Sequence, residues 1–275
     1  MTQTQIQNES AMKMLNKVPE VTLFFWIIKI MATTVGETAA DFLSVTLNLG
    51  LSVTSYIMTA LLVVVLLFQF NYKKYVPWAY WVSVVLISIV GTLITDKLVD
   101  DLGVSLETTT ILFSLALAAT FIVWYANEKT LSIHSIFTTR REAYYWAAIL
   151  FTFALGTAAG DLAAEGLNLG YAQAALIFGA LIALVTYGHY FLRLNSILAF
   201  WIAYILTRPL GASFGDLLSQ PVSNGGLGLG TVMTSMIFFA TITSLVTFMT
   251  ILQRRRPFVT ARLEEDAGRS SSRGK

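Results

Sequence analysis

Eight long apolar stretches, each close to the roughly 20 residues a helix needs to cross hydrocarbon, constrain this chain more than anything else in it. They run over Val21–Ala40, Ser52–Phe70, Pro77–Thr95, Thr108–Tyr125, Tyr144–Gly160, Tyr171–Phe191, Ile197–Gly215 and Thr231–Leu252. With 56% hydrophobic and 12% charged residues, the 275-residue chain lies far from the roughly 25% charge of soluble domains. That excludes a soluble enzyme, a disordered protein, a coiled coil and a partner for nucleic acid. The expected class is an all-α polytopic membrane protein whose first partner is the lipid bilayer. The mixed and polar residues before the first stretch include Glu9 and Glu20, so this stretch reads as a span, not as a cleaved leader. There is no Cys, hence no disulfide framework or thiolate metal site.

Basic residues set the expected orientation. Lys13, Lys17, Lys73, Lys74, Lys129, Arg140, Arg141 and Arg193 flank one side of the spans, and the Arg-rich end after Leu252 adds Arg254, Arg255, Arg256, Arg262, Arg269, Arg273 and Lys275, together 15 of the 18 Lys and Arg. Lys29, Lys97 and Arg208 are the exceptions, while Asp100, Asp101, Glu107 and Glu165 fall in the opposite loops. Both termini are therefore expected in the cytoplasm. Residues 1–20 form a cytoplasmic segment, 21–252 a single eight-helix membrane domain, and 253–275 a solvated cytoplasmic tail.

Internal symmetry is strong. A Trp is followed ten residues later by Gly and fifteen residues later by Asp four times: Trp26, Gly36, Asp41; Trp81, Gly91, Asp96; Trp146, Gly156, Asp161; and Trp201, Gly211, Asp216. Copies one and three also share Leu47-Asn48-Leu49-Gly50 and Leu167-Asn168-Leu169-Gly170. The units, about 21–72, 76–127, 141–192 and 196–252, each hold two spans, so all four point the same way as parallel repeats. On this pattern the chain resembles the bacterial integral membrane proteins built from four tandem DUF347 repeats, each of two transmembrane helices with a characteristic Trp. The resemblance covers about residues 20–252. It implies this architecture and the bacterial cytoplasmic membrane, and it supplies no catalytic residues.

The first helix of each unit carries the unusual chemistry. Gly36, Gly91, Gly156 and Gly211 begin small-xxx-small steps and are expected to let helices pack closely. Backwards from each Asp in steps of four runs one helix face: Lys29, Thr33, Glu37, Asp41; Val84, Ser88, Thr92, Asp96; Ile149, Phe153, Thr157, Asp161; Tyr204, Arg208, Ala212, Asp216. A charge at bilayer depth costs about 2.5–3.5 kcal/mol and usually faces a bundle interior. The aspartates read either as helix-end residues or as a ring of carboxylates attracting cations. Glu37 stands one turn deeper, with Thr92 and Thr157 in its place on sister helices. It suits an oxygen-coordinated cation or a proton relay, or else pairs structurally with Lys29 or Arg208 from another helix.

The remaining motifs carry less. His134 and His189 are not at metal-ligand spacing, the four Trp fit interfacial anchors or packing, and Arg208-Pro209 predicts a kink. The stretch Asn224–Gly230 reads as a flexible or re-entrant turn. No nucleophile, zinc or nucleotide motif appears, so the chain is expected not to be an enzyme and no cofactor is implied. The leading functional expectation is a secondary transporter or permease for a small cation, a metal ion or one coupled to protons. Its path would use Glu37, the four aspartates, Thr33, Thr92 and Thr157, with Lys29 and Arg208 as internal counter-charges. The alternative is a non-transporting sensor, regulator or assembly protein acting through its cytoplasmic loops and tail.

Overall fold

A computed structural model describes residues 16–251; the Arg-rich tail and most of the N-terminal segment lie outside them. Eight long helices make up the fold, and no strand occurs among the described residues. They are α1 (Leu23–Asp41), α2 (Leu51–Asn71), α3 (Pro77–Asp96), α4 (Leu106–Glu128), α5 (Thr139–Asp161), α6 (Tyr171–Phe191), α7 (Ser196–Ser219) and α8 (Thr231–Ile251). All eight are long and apolar enough to span a membrane. The protein is thus an all-α, multi-pass membrane protein of four parallel two-helix repeats.

Local chemistry sets where the helices begin. Thr22, Ser105, Thr138 and Asn195 accept backbone N–H bonds at the starts of α1, α4, α5 and α7, satisfying donors that a helix leaves open. Pro77 opens α3, where its missing N–H is not needed. The shared Leu-Asn-Leu-Gly motif encodes one backbone turn twice. Asn48 and Asn168 sit at φ 55° and 54°, and Gly50 and Gly170 at φ 73° and 78°, a region that Asn and Gly tolerate best.

Odd and even helices behave differently. The odd ones are mostly buried and the even ones mostly exposed. α1, α3, α5 and α7 form a closed inner ring, each touching the next and α7 returning to α1. Each outer helix packs on the inner helix of the following repeat: α2 on α3, α4 on α5 and α6 on α7. α8 completes the circuit against α1, where Ser235 Oγ donates to Thr38 Oγ1 at 2.7 Å and Phe24 meets Phe248. The lipid-facing helices carry large exposed apolar side chains such as Leu67, Leu115, Leu184 and Met236, the reverse of a soluble surface.

One contact recurs around the inner ring. A Cβ on Gly36 would collide with Ser88, one on Gly91 with Phe153, one on Gly156 with Arg208 and one on Gly211 with Thr33. Each of these partners stands eight residues before the Asp of its own helix. Every glycine is therefore a notch that admits the same position of the next helix. Thr34 Oγ1 adds a bond to Gly211 O at 3.1 Å, and Thr95 Oγ1 one to Ala154 O at 2.9 Å. Such close approach matters because lipid offers helices no hydrophobic drive to associate.

Three features sharpen the sequence expectation. The inner helices do not stop at their aspartates. After Asp41, Asp96 and Asp161 the chain makes one wider π turn, over Phe42–Thr46, Lys97–Asp101 and Leu162–Gly166, closed by i→i+5 bonds such as Leu47 N to Phe42 O at 2.8 Å. Of the two readings of the Trp, packing fits three: Trp81, Trp146 and Trp201 are buried, and each indole N–H has a partner inside, Tyr75, Glu142 and the Leu131 carbonyl. The Gly-rich stretch is held by backbone hydrogen bonds. Leu227 N, Leu229 N and Gly230 N donate to the Leu217, Leu218 and Ser219 carbonyls, so it folds back and caps α7.

The notches predict a sharp contrast between glycines. Gly36→Ala and Gly211→Ala should each lower unfolding stability by about 1–3 kcal/mol, the usual cost of overpacking. Gly179→Ala on α6 meets only Leu210 at 3.9 Å and should be neutral or gain up to about 1 kcal/mol from helix propensity. Thermal melts of the three variants in detergent check this.

Candidate functional site

The polar stripes of the four inner helices face one another inside the ring, and their chemistry changes along its axis. We describe the axis by its two ends, one marked by the repeat Trp and the other by the repeat Asp. Toward the Asp end, carboxylate oxygens of Glu37, Asp161 and Asp216 all lie within 4.8 Å of one another. They come from α1, α5 and α7. Glu37 and Asp216 are buried and Asp161 is half-buried. Asp41 and Asp96 are also half-buried but stand outside this group of three. Asp41, Asp96 and Asp161 are the last α-helical residues before a π turn, and Asp216 lies three residues before the end of α7, so all four stand near helix ends and the three carboxylates nonetheless converge.

One turn deeper, Arg208 gathers the stripe. Its Nη2 donates to Glu37 Oε2 at 2.7 Å, to Thr157 Oγ1 at 2.6 Å and to Thr92 Oγ1. Thr92 Oγ1 also donates to Glu37 Oε2 at 3.3 Å and lies 3.4 Å from Thr157 Oγ1. Four helices thus contribute one polar group each to a single junction: Glu37 from α1, Thr92 from α3, Thr157 from α5 and Arg208 from α7. Arg208 is fully buried. Its Nε and Nη1 have no hydrogen-bond partner among the described residues. Its position follows from the ring itself, since its Cβ and Cγ fill the Gly156 notch and leave the guanidinium nowhere to go but across the lumen. Pro209, which follows it, does not end the helix, and α7 continues to Ser219.

Deeper still the lumen turns aromatic. Lys29, also fully buried, does not reach an acid. Its Nζ donates to Thr207 Oγ1 at 3.2 Å and sits over the rings of Phe153 and Tyr204 at 4.5 and 4.3 Å, a cation–π setting. Thr33 Oγ1 donates to the Ile30 carbonyl of its own helix at 2.5 Å and lies 3.4 Å from Thr207 O. Beyond Lys29 a buried layer of Phe25, Tyr80, Tyr145 and Tyr204 fills the ring, with the Tyr80 and Tyr145 hydroxyls 2.5 Å apart. The lumen is therefore acidic at one end, basic in the middle and aromatic at the other.

A second buried ionic cluster lay beyond the sequence reading. Lys17 is not a solvated flanking charge. It is buried, and its Nζ contacts Glu142 Oε2 at 2.6 Å and Phe70 O at 3.0 Å. Gln69 Nε2 and Trp146 Nε1 donate to Glu142 Oε1. Glu142 stands one turn before a repeat Trp, the only signal that would have marked it. Nearby, Arg140 and Arg141 both bind Glu128, at 2.5 and 2.6 Å.

Comparison with known families bears on this geometry directly. The model described as Repeat of Unknown Function (DUF347) matches residues 24–75, 79–130, 144–195 and 199–255. The chain belongs to the DUF347 family. Each DUF347 repeat holds one inner helix, one outer helix and the loop between them, and the ring described above is four such repeats in a circle. No curated protein and no solved structure matches the chain. The charged junction differs among the DUF347 repeats of this protein: at the Glu37 level they carry Glu, Thr, Thr and Ala, and at the Arg208 level Thr, Ser, Phe and Arg.

Removing either partner of the Glu37–Arg208 pair leaves a buried charge uncompensated, which typically costs about 3–5 kcal/mol. Glu37→Gln and Arg208→Gln should each destabilise the protein. The double variant should recover at least half of the summed loss. A double-mutant cycle of thermal melts measures that coupling.

Proposed function

We propose that this DUF347 protein is a secondary transporter or permease for a small cation, lodged in the bacterial cytoplasmic membrane with both termini in the cytoplasm. One observation carries the reading: Glu37, Asp161 and Asp216 converge inside the ring with their oxygens within 4.8 Å. Hard cations bind oxygen at about 2.0–2.6 Å, so oxygens sharing one ion stand at most about 5 Å apart. The three carboxylates fit that limit. Charge balance supports it too. The stripes hold five acids, Glu37, Asp41, Asp96, Asp161 and Asp216, against two bases, Lys29 and Arg208. A medium of low dielectric does not tolerate that excess unpaired, and cations or protons would neutralise it.

In this account Arg208 is a tethered cation. It holds Glu37 when no ion is present and yields it when an ion arrives between Glu37, Asp161 and Asp216. The aromatic layer closes the Trp end, so passage requires it to open while the Asp end shuts, as alternating access demands. The protein acts as a carrier and not as an enzyme.

Reconstituted proteoliposomes test the proposal with Mn²⁺, Zn²⁺ and a pH dye as probes. We expect flux of at least one, reduced at least tenfold by Glu37→Gln and by Asp161→Asn. Absence of flux with all three probes would overturn the reading, as would flux indifferent to both substitutions. Loss of cellular function on removing residues 254–275, with both neutral variants active, would favour a sensor working through its tail.

A further inference from the structure

The repeats place equivalent positions at successive seams of the bundle, and two of these seams contrast sharply. Where α4 meets α5 and α7, the space beside the repeat Trp is filled with aromatic rings. Phe121 lies 4.8 Å from Trp201, Trp124 lies 5.8 Å from it, and Tyr144 stacks on Trp124 at 12°. One repeat further on, α6 meets α7 and α1. There the positions of Phe121, Trp124 and Tyr144 are held by Thr186, His189 and Ala199. All three line a cavity of about 580 Å³ beside Trp26, the counterpart of Trp201. Smaller side chains border a hole where the α4–α5–α7 seam has rings; the α2–α3–α5 seam, with Leu66, Gln69 and Ala79 at these positions, has no rings either, but there Gln69 bonds Glu142. Leu23 and Tyr190, which line it together with the loop residues Leu131–His134, are 74% and 75% exposed, so the cavity reaches the outer surface of the bundle.

Its polar groups are not those of a packing defect. The other three repeat Trp have indole hydrogen-bond partners, whereas Trp26 has none among the described residues. Trp26 therefore keeps a donor for an occupant. His189 Nδ1 lies 3.1 Å from the Leu194 carbonyl. A carbonyl only accepts, so Nδ1 carries the hydrogen and the neutral ring keeps Nε2 as an acceptor. An occupant that satisfies both needs one acceptor and one donor on a flat apolar frame, which a phenolic hydroxyl provides from one atom.

We propose that this cavity binds a phenolic or hydroquinone-like ring of a membrane-soluble molecule, the ring lying where the α4–α5–α7 seam carries Phe121, Trp124 and Tyr144 and its hydroxyl meeting Trp26 and His189. The site is separate from the carboxylate cluster and does not rest on the cation reading.

The test is saturable binding of radiolabelled 4-octylphenol to the full chain in phosphatidylcholine nanodiscs, with empty nanodiscs as background. Wild-type protein should show one saturable site. Thr186→Phe with Ala199→Tyr, which introduces two rings found at the α4–α5–α7 seam, should weaken binding at least tenfold while the melting temperature holds or rises. If that pair misfolds, Ala199→Phe alone should give the same direction of change. Octylbenzene, lacking the hydroxyl, should compete at least tenfold more weakly. Absence of saturable binding would overturn the proposal, as would affinity unchanged in the folded filled variants. Equal competition by octylbenzene would overturn the phenolic assignment.

Discussion

The contact on which the rest depends is a glycine on one inner helix admitting a side chain of the next. It is made four times, from Gly36 to Ser88, Gly91 to Phe153, Gly156 to Arg208 and Gly211 to Thr33, and the fourth closes the circuit begun by the first. Lipid tails are as apolar as leucine, so a membrane bundle coheres through close fit and internal hydrogen bonds. The notches supply the fit. They also fix which residues meet in the lumen, because the side chain that fills each notch belongs to the polar stripe of its helix. Arg208 reaches Glu37 for this reason, across 171 positions of sequence.

Symmetry and its violations divide the labour. The inner-helix contacts and the Trp, Gly and Asp positions repeat four times and build the ring. Function is sought where copies disagree. Only copy one has an acid at the Glu37 level, and only copy four has a base at the Arg208 level. The two are neighbours because the ring makes the first and last copies adjacent. The cavity beside Trp26 is another disagreement, small residues at the α6–α7–α1 seam where its neighbour has rings.

Much of this was legible in the residues. The eight spans, the parallel repeat and the glycines with a packing role follow from hydropathy and spacing, since period and composition determine them. The pairing of Glu37 was open between Lys29 and Arg208, because a stripe shows which face a residue occupies and not which neighbour it meets. The π turns after Asp41, Asp96 and Asp161 were missed, since an apolar run into a loop looks the same whether the helix stops or widens. Lys17 looked like an orientation signal and is a buried partner of Glu142, which short-range pattern cannot reveal. The contrast of Phe121, Trp124 and Tyr144 with Thr186, His189 and Ala199 was present in the aligned repeats and needed only the geometry to give it meaning.

Closure of the ring is the central claim, and the absence of native Cys makes it directly measurable. Thr38 on α1 and Ser235 on α8 have hydroxyls 2.7 Å apart, within the range a disulfide bridges after side-chain exchange. In native membranes, Thr38→Cys with Ser235→Cys should form an intramolecular disulfide nearly completely under mild oxidation. Two thiols that stay free and react separately with maleimide would show that the last repeat does not return to the first, and the shared lumen would fall with it.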